Sequence, residues 1–160
     1  MIALLMNPDN LNYDVDVKAA QEAARSLDQQ TMVVDAKHPG MIDAAFDTIA
    51  QKRAAAILVA SDPMFLGQRD RLAALAARYA LPVVAWTREF AAAGLLCSYG
   101  TSIVWMYREA GVYAGRILKG AKPSNLPVIQ PSIFSWSSIS RRLRRLGLRF
   151  RSRCCCVRTR

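Results

Sequence analysis

Ala54-Ala55-Ala56-Ile57-Leu58-Val59-Ala60-Ser61-Asp62-Pro63 is the stretch whose reading decides the fold. Its apolar residues are small or branched and show no polar alternation, which is the pattern of a strand buried on both faces of a parallel sheet flanked by helices. Ser61, Asp62 and Pro63 then stop the strand and start a helix. A carboxylate at Asp62 suits the N-cap, where it accepts orphan N–H groups. Pro63 suits the first helical position, where its missing N–H is no loss. In open α/β sheets ligands bind beyond the carboxyl ends of strands, and Ser61 and Asp62 stand at such an end.

The same unit recurs on either side. Ile2 to Met6 is a strand closed by the turn Asn7-Pro8-Asp9-Asn10. Val15, Ala19, Ala23 and Leu27, four residues apart, predict a helix over 14–29 with that stripe inward. Thr31 to Val34 is the second strand, and Ile42, Ala45, Phe46 and Ile49 mark the second helix. One further helix is expected over 64–79 with Leu72, Leu75, Ala76 and Tyr79 inward, then a strand at Pro82–Trp86 and a short helical piece capped by Thr87-Arg88-Glu89. Such alternation with short loops gives parallel strands joined by right-handed crossovers, so the fold class is α/β: a flavodoxin-like parallel sheet with helices on both faces. From Gly94 the rhythm changes. Leu95–Gly100 reads as one more strand, followed by a long helix from Ser102 to Leu118 with Gly120 as C-cap and Pro123 as stop. That helix carries Trp105, Tyr107, Val112, Tyr113 and Ile117, more apolar surface than the preceding strands need.

The net charge of +10 belongs to one end of the chain. Residues 135–160 hold nine arginines and no acid, which leaves 13 basic against 12 acidic residues in 1–134. The basicity is therefore that of a tail and says nothing of the domain's partner; no specific nucleic-acid partner is expected. Three organisational units follow: an α/β domain over 1–93, a strand and helix over 94–134, and the Arg/Ser/Cys tail over 135–160. In the tail Leu143, Leu146 and Phe150 carry the apolar periodicity, and the expectation there is disorder or a loosely held helix. No run of about 18 apolar residues is present to span a membrane, and Met1 runs directly into Ile2–Met6, too short and uncharged for a signal peptide. Taken as written, the chain is expected in the cytoplasm.

Catalytic and metal chemistry find little support. His38, the one histidine, lies in a Pro-Gly loop, and no nucleophile elbow, zinc-protease, Walker or dinucleotide glycine motif occurs. Cys97 reads as a structural thiol, and Cys154-Cys155-Cys156 lacks the gaps that let two thiolates share a metal. No enzyme activity, cofactor or metal is expected. Asp9, Asp35 and Asp62 at strand ends with Thr87 after the fourth strand suggest a receiver-like signalling domain, but an acidic pair after the first strand and a lysine at 99–101 are lacking. What remains is a rim of polar and aromatic groups: Asn7, Asn10, Ser61, Asp62, Trp86, Thr87 and Arg88. Arg88 would fork onto a carboxylate, Asp62 would pair with an ammonium and Trp86 would cover an apolar part, so the rim suits a small organic solute.

Ile2–Pro8, Ala56–Pro63 and Leu81–Val84, and above all Ser98-Tyr99-Gly100, Tyr107-Arg108, Gly111, Tyr113, Gly115–Pro123, Leu126-Pro127-Val128 and Gln130-Pro131, carry a family resemblance. Over about residues 1–134 the chain resembles the ABC-transporter solute-binding proteins of the type I periplasmic-binding fold, in the subfamily of tryptophan and aromatic-amino-acid binders. The resemblance implies two α/β lobes closing on a solute, a periplasmic location, export, and docking on ABC permease membrane subunits. This chain would start at the second lobe, with 94–119 returning to a missing first lobe and the signal peptide missing too. Asn7, Ser61, Asp62, Trp86, Thr87 and the hinge-side Tyr99 would face the ligand. The tail departs from the family: where the family continues Glu-Leu-Val-Ile-Asn-Leu, this chain has Ser135–Ser140. Written AGC TGG TCA TCA ATC TCA with one G restored in front, those codons read Glu-Leu-Val-Ile-Asn-Leu. The run Arg153–Thr159 likewise reads Leu-Leu-Leu-Arg-Ala-Asp in that frame. The tail is therefore expected to be a frameshift product, the rival being an Arg-rich arm that binds nucleic acid through phosphates.

Overall fold

The computed structural model describes residues 1–130 and 134–138. The rest of the tail, with Cys154, Cys155, Cys156 and its nine arginines, lies outside the described residues. Six strands form a single sheet in the order β2-β1-β3-β4-β5-β6. They are β1 (Ile2–Met6), β2 (Thr31–Asp35), β3 (Ala56–Val59), β4 (Val83–Ala85), β5 (Cys97–Thr101) and β6 (Phe134–Ser138). The first five are parallel, with Leu4 opposite Val33 on one side and Leu58 on the other, and Val84 opposite both Leu58 and Cys97. The expected doubly wound arrangement is therefore present. The last strand is a departure: β6 pairs antiparallel with β5, Tyr99 facing Trp136 and Cys97 facing Ser138, so residues 135–138, read as the start of the tail, are sheet.

Six helices connect the strands: α1 (Tyr13–Arg25), α2 (Ile42–Gln51), α3 (Pro63–Gly67), α4 (Arg69–Arg78), α5 (Arg88–Ala93) and α6 (Ile103–Leu118). The single helix expected over 64–79 is thus two, broken at Gln68, whose φ of −103° and ψ of 15° leave the helical basin. One sheet face holds the main core. Ala3, Leu5, Val34, Ile57, Val59, Val83 and Ala85 meet Ile42, Phe46 and Ile49 of α2, Leu72, Leu75 and Ala76 of α4, and Phe90 of α5. Strands that step rightward from β2 to β5 through right-handed crossovers place all these helices on that one side.

On the other face α1, from the leftward crossover, lies over β1 and β2. It does so in a rotation different from the one its spacing predicts. Ala24 is the buried residue, while Val15 is 68% exposed and Leu27 70%, with Ala19 and Ala23 exposed as well. A stripe built largely of alanine has little area to gain by burial, and contact of α1 with β1 and β2 sets the rotation instead. The two-sided burial expected of the strand in the Ala54–Pro63 stretch is incomplete: α1 lies mainly against β1 and β2, and Leu58 is 37% exposed.

Five helix ends share one closing motif. After α6, Gly120 takes φ +97°, its N–H donates to the Ile117 carbonyl, and the Ala121 N–H donates to that of Arg116. The paired bonds of a Schellman motif recur at Gly94 and, without glycine, at Asp28, Arg53 and Ala80, each at φ 53°. A left-handed alanine has neither glycine's freedom nor a side chain able to bond locally. Ala80→Gly is expected to raise stability by about 1 kcal/mol, read as a higher denaturant midpoint with unchanged m-value. Gly100→Ala should act oppositely, because an added Cβ would stand 1.8 Å from the Trp86 carbonyl oxygen. Only backbone movement relieves that clash, so a loss of about 2 kcal/mol or more is expected in the same measurement.

Candidate functional site

Parallel strands put the loops after β1, β3 and β4 side by side at one end of the sheet, and the first two are tied together there. The Asp62 carboxylate is 5% exposed. Its Oδ1 accepts the Met64 N–H at 2.7 Å, the N-cap bond of α3 with Pro63 at the first position, as the sequence predicts. Its Oδ2 accepts the side-chain amides of Asn7 at 3.0 Å and Asn10 at 2.8 Å. The Asn10 amide also donates to the Ser61 carbonyl at 3.2 Å. Both asparagines are held in turn: Asn7 Oδ1 accepts the Asp9 N–H and Asn10 Oδ1 the Asn12 N–H, Asx turns that shape the Asn7-Pro8-Asp9-Asn10 loop. Asn7, Asn10, Ser61 and Asp62 are therefore one hydrogen-bonded unit, with the Ser61 side chain exposed.

Trp86 and Thr87 follow β4. The Trp86 ring packs edge-on to Phe90 with centroids 6.3 Å apart, and its backbone is the surface against which Gly100 closes. Thr87 is the N-cap residue of α5 and 1% exposed, yet its hydroxyl makes no capping bond. Thr87 Oγ1 and Trp86 Nε1 are both buried with no hydrogen-bond partner among the described residues. A polar atom in that state costs about 1–3 kcal/mol when nothing meets it. Arg88 begins α5, exposed to solvent and without an ion pair among the described residues.

Tyr99 stands apart from the loops. It lies within β5, 56% exposed, stacked on Phe134 at 5.7 Å with planes 18° apart and flanked by Trp136 at 6.3 Å. Phe134 and Trp136 are thus neighbours of a candidate residue that sequence reading did not single out. They sit at the point where the chain's character changes, and nothing in their spacing marks a strand. Asp35, at the end of β2, accepts the Tyr13 hydroxyl at 2.9 Å. Desolvation first, and that bond second, raise the Tyr13 phenol above its ordinary value. Asp9 pairs with Lys37 at 3.6 Å, so the strand-end acids do not converge, and no group able to hold a metal occurs among the described residues. Burial pushes the Cys97 thiol up to about 11, the opposite of what an activated nucleophile needs.

Beyond the sheet, α6 has no buried residue. Its Trp105, Met106, Tyr113 and Ile117 face Leu126 and Val128 across an open apolar groove of about 490 Å³, and Tyr107, Val104 and Leu118 are 74–87% exposed.

A family model described as ABC transporter substrate binding protein matches residues 1–143. No curated protein matches the chain. Among solved structures it is similar to an ABC domain in complex with L-Trp from Streptococcus pneumoniae, at 18% identity and TM-score 0.83, covering 92% of this chain and 51% of that one. A conserved domain protein from Vibrio cholerae is similar at 18% identity and TM-score 0.84, covering 94% and 51%. The ligand-free, open form of a substrate-binding protein with adhesive properties from Clostridium difficile is similar at 19% and 0.68, covering 97% and 52%. The chain therefore spans about half the length of the structures it matches.

Asp62→Ala would leave three N–H donors, those of Asn7, Asn10 and Met64, without their acceptor. Unfolding in urea is expected to show a loss of about 2–4 kcal/mol. Cys97 should stay unlabelled by iodoacetamide at pH 8, where a pKa of about 11 leaves almost no thiolate; peptide mapping should find it modified only in denaturant.

Proposed function

Because the chain belongs to the ABC transporter substrate-binding protein family, we propose that it forms the second lobe of a two-lobed solute receptor. In this reading residues 1–93 are the lobe proper, and 94–134 lead to and pack against a first lobe. The exposed apolar side of α6 and its groove against 126–129 support that contact, since a helix with no buried residue leaves unfavourable apolar area in water. Function is non-enzymatic capture of a small organic solute and its delivery to ABC permease membrane subunits, outside the cytoplasm.

The observation that carries the solute-binding reading is the pair of buried, unpartnered polar atoms on Trp86 and Thr87, beside loops held rigid by Asp62. A solute acceptor or donor reaching them offsets a desolvation cost the free lobe bears. Asn7, Asn10, Ser61 and Asp62 supply the polar floor, Arg88 a carboxylate fork, and Tyr99 an aromatic wall from the hinge side. An amino acid, with carboxylate, ammonium and apolar side chain, matches that set. The printed ligand of the pneumococcal neighbour, L-Trp, supports an aromatic one. A single lobe supplies half the contacts, so affinity is expected in the millimolar range, about −4 kcal/mol. Two-dimensional NMR with L-tryptophan and a panel of other L-amino acids should show saturable shifts confined to Asn7, Asn10, Ser61, Trp86, Thr87 and Tyr99. Thr87→Val should abolish them while leaving stability unchanged or raised, because it removes an orphan hydroxyl at constant shape. Shifts absent with every member of the panel, or centred on α6, would refute the reading.

The chain after Phe134 we read as out of frame with the family, one base having been lost before codon 135. Sequencing the coding DNA tests this: one inserted base near codon 135 should open a frame continuing Glu-Leu-Val-Ile-Asn-Leu, and its failure to do so ends the proposal.

A further inference from the structure

The border of the sheet farthest from β6 is open. β2 stands there with β1 on one side and no strand on the other. Sheets commonly blunt such an edge with proline, lysine or a bulge. Thr31–Asp35 has none of these, and it pairs with Ile2–Met6 in unbroken register. The Ile2 N–H donates to the Gln30 carbonyl and the Ala36 N–H to that of Met6, so the even-numbered residues turn their amides to β1. The main-chain N–H and C=O groups of Thr31, Val33 and Asp35 therefore point outward and meet no partner among the described residues.

We infer that this edge pairs antiparallel with β2 of a second copy of the chain, making a symmetric dimer with one continuous sheet. Only registers that set odd residues against odd ones bring outward groups together. With Val33 on the twofold axis all of them are used: Val33 meets its copy, and Thr31 meets Asp35 on either side, so no like charges are opposed. Charge complementarity comes from α1. Its buried side is marked by Ala24, and at about 100° per residue Asp14, Lys18, Gln21 and Arg25 share an arc of about 60°, a quarter-turn away. For a right-handed helix in a right-handed crossover, running against the strands, that quarter faces the free edge of β2. Asp14, Lys18 and Arg25 are exposed, and none forms an ion pair among the described residues. Contact with both β1 and β2 sets the α1 axis over the gap between them. Across the twofold axis the two α1 helices then lie antiparallel, two strand spacings or roughly 10 Å apart, which is helix-packing distance. The Tyr13 hydroxyl on Asp35 at 2.9 Å aligns the start of α1 with the end of β2, so the axis through Val33 passes the middle of α1 as well. There Asp14 faces Arg25 of the second copy and Lys18 faces its Gln21, in both directions.

The inference does not depend on the solute reading, since none of these residues belongs to the proposed rim. Sedimentation velocity of the full chain over a concentration series, joined to amide exchange by NMR, tests it. A monomer–dimer equilibrium in the micromolar range is expected. Exchange at Thr31, Val33 and Asp35 should slow as the dimer fills, while Met32 and Val34, bonded to β1, stay protected throughout. Asp14→Arg and Arg25→Asp should each weaken association at least about tenfold, because each sets like charges opposite one another. An equimolar mixture of the two variants should restore it as a heterodimer, a rescue that misfolding would not give. Val33→Pro removes an outward N–H that β1 does not use and should be monomeric with unchanged far-UV dichroism. A chain that stays monomeric at millimolar concentration overturns the inference. So does a mixture no better than its components, or a dimer that all three variants leave intact, which would place the contact on α6.

Discussion

A single buried carboxylate fixes the end of the sheet on which the rest of the molecule depends. Asp62 caps α3 with one oxygen and gathers Asn7 and Asn10 with the other. Parallel strands need not be joined at their carboxyl ends by anything but water. Here the loop after the central strand β1 is bonded to the loop after its neighbour β3, and each asparagine is braced by its own Asx turn. Three N–H donors on one carboxylate, without a cation among the described residues, let the group lie 5% exposed at the mouth of the sheet. Polar and cross-tied by hydrogen bonds, this end is the one the proposed solute would meet. Trp86 and Thr87 follow the neighbouring strand β4 with buried polar atoms that no described residue satisfies.

Much of this was legible from residue patterns because the relevant physics is local. An acid before Pro63 announces a capped helix start. Ile42, Ala45, Phe46 and Ile49 announce a buried helical face, and all four are buried. The parallel order followed from alternation and crossover hand alone. Where the reading missed, a long-range choice decided. The alanine-rich α1 had two faces of nearly equal apolar content, and contact with β1 and β2 selected Ala24 over the stripe at Val15 and Leu27. Gln68 broke one expected helix into two with no proline or glycine cluster to announce it. The candidate site divided in the same way. Asp62's capping role was readable from two neighbouring residues, but its clasp on Asn7 and Asn10 spans more than fifty residues of chain and needed the sheet to be assembled.

Three helix ends use Asp28, Arg53 and Ala80 in the left-handed region where glycine is easier. Their recurrence shows the crossover geometry imposing a backbone that the local sequence does not favour. The motif's two hydrogen bonds and the tight return into the next strand outweigh about 1 kcal/mol of strain at each. Tight returns in turn keep β1, β3 and β4 ending level, which is what lets their loops act together.

The pairing of β6 with β5 depends little on which side chains it carries. It runs main chain to main chain, Tyr99 against Trp136 and Thr101 against Phe134, and amide groups are the same whatever codon specified them. An outermost antiparallel ribbon can therefore keep its ladder while its side chains vary, and what changes along 134–138 is chiefly the face that the sheet border turns to its surroundings.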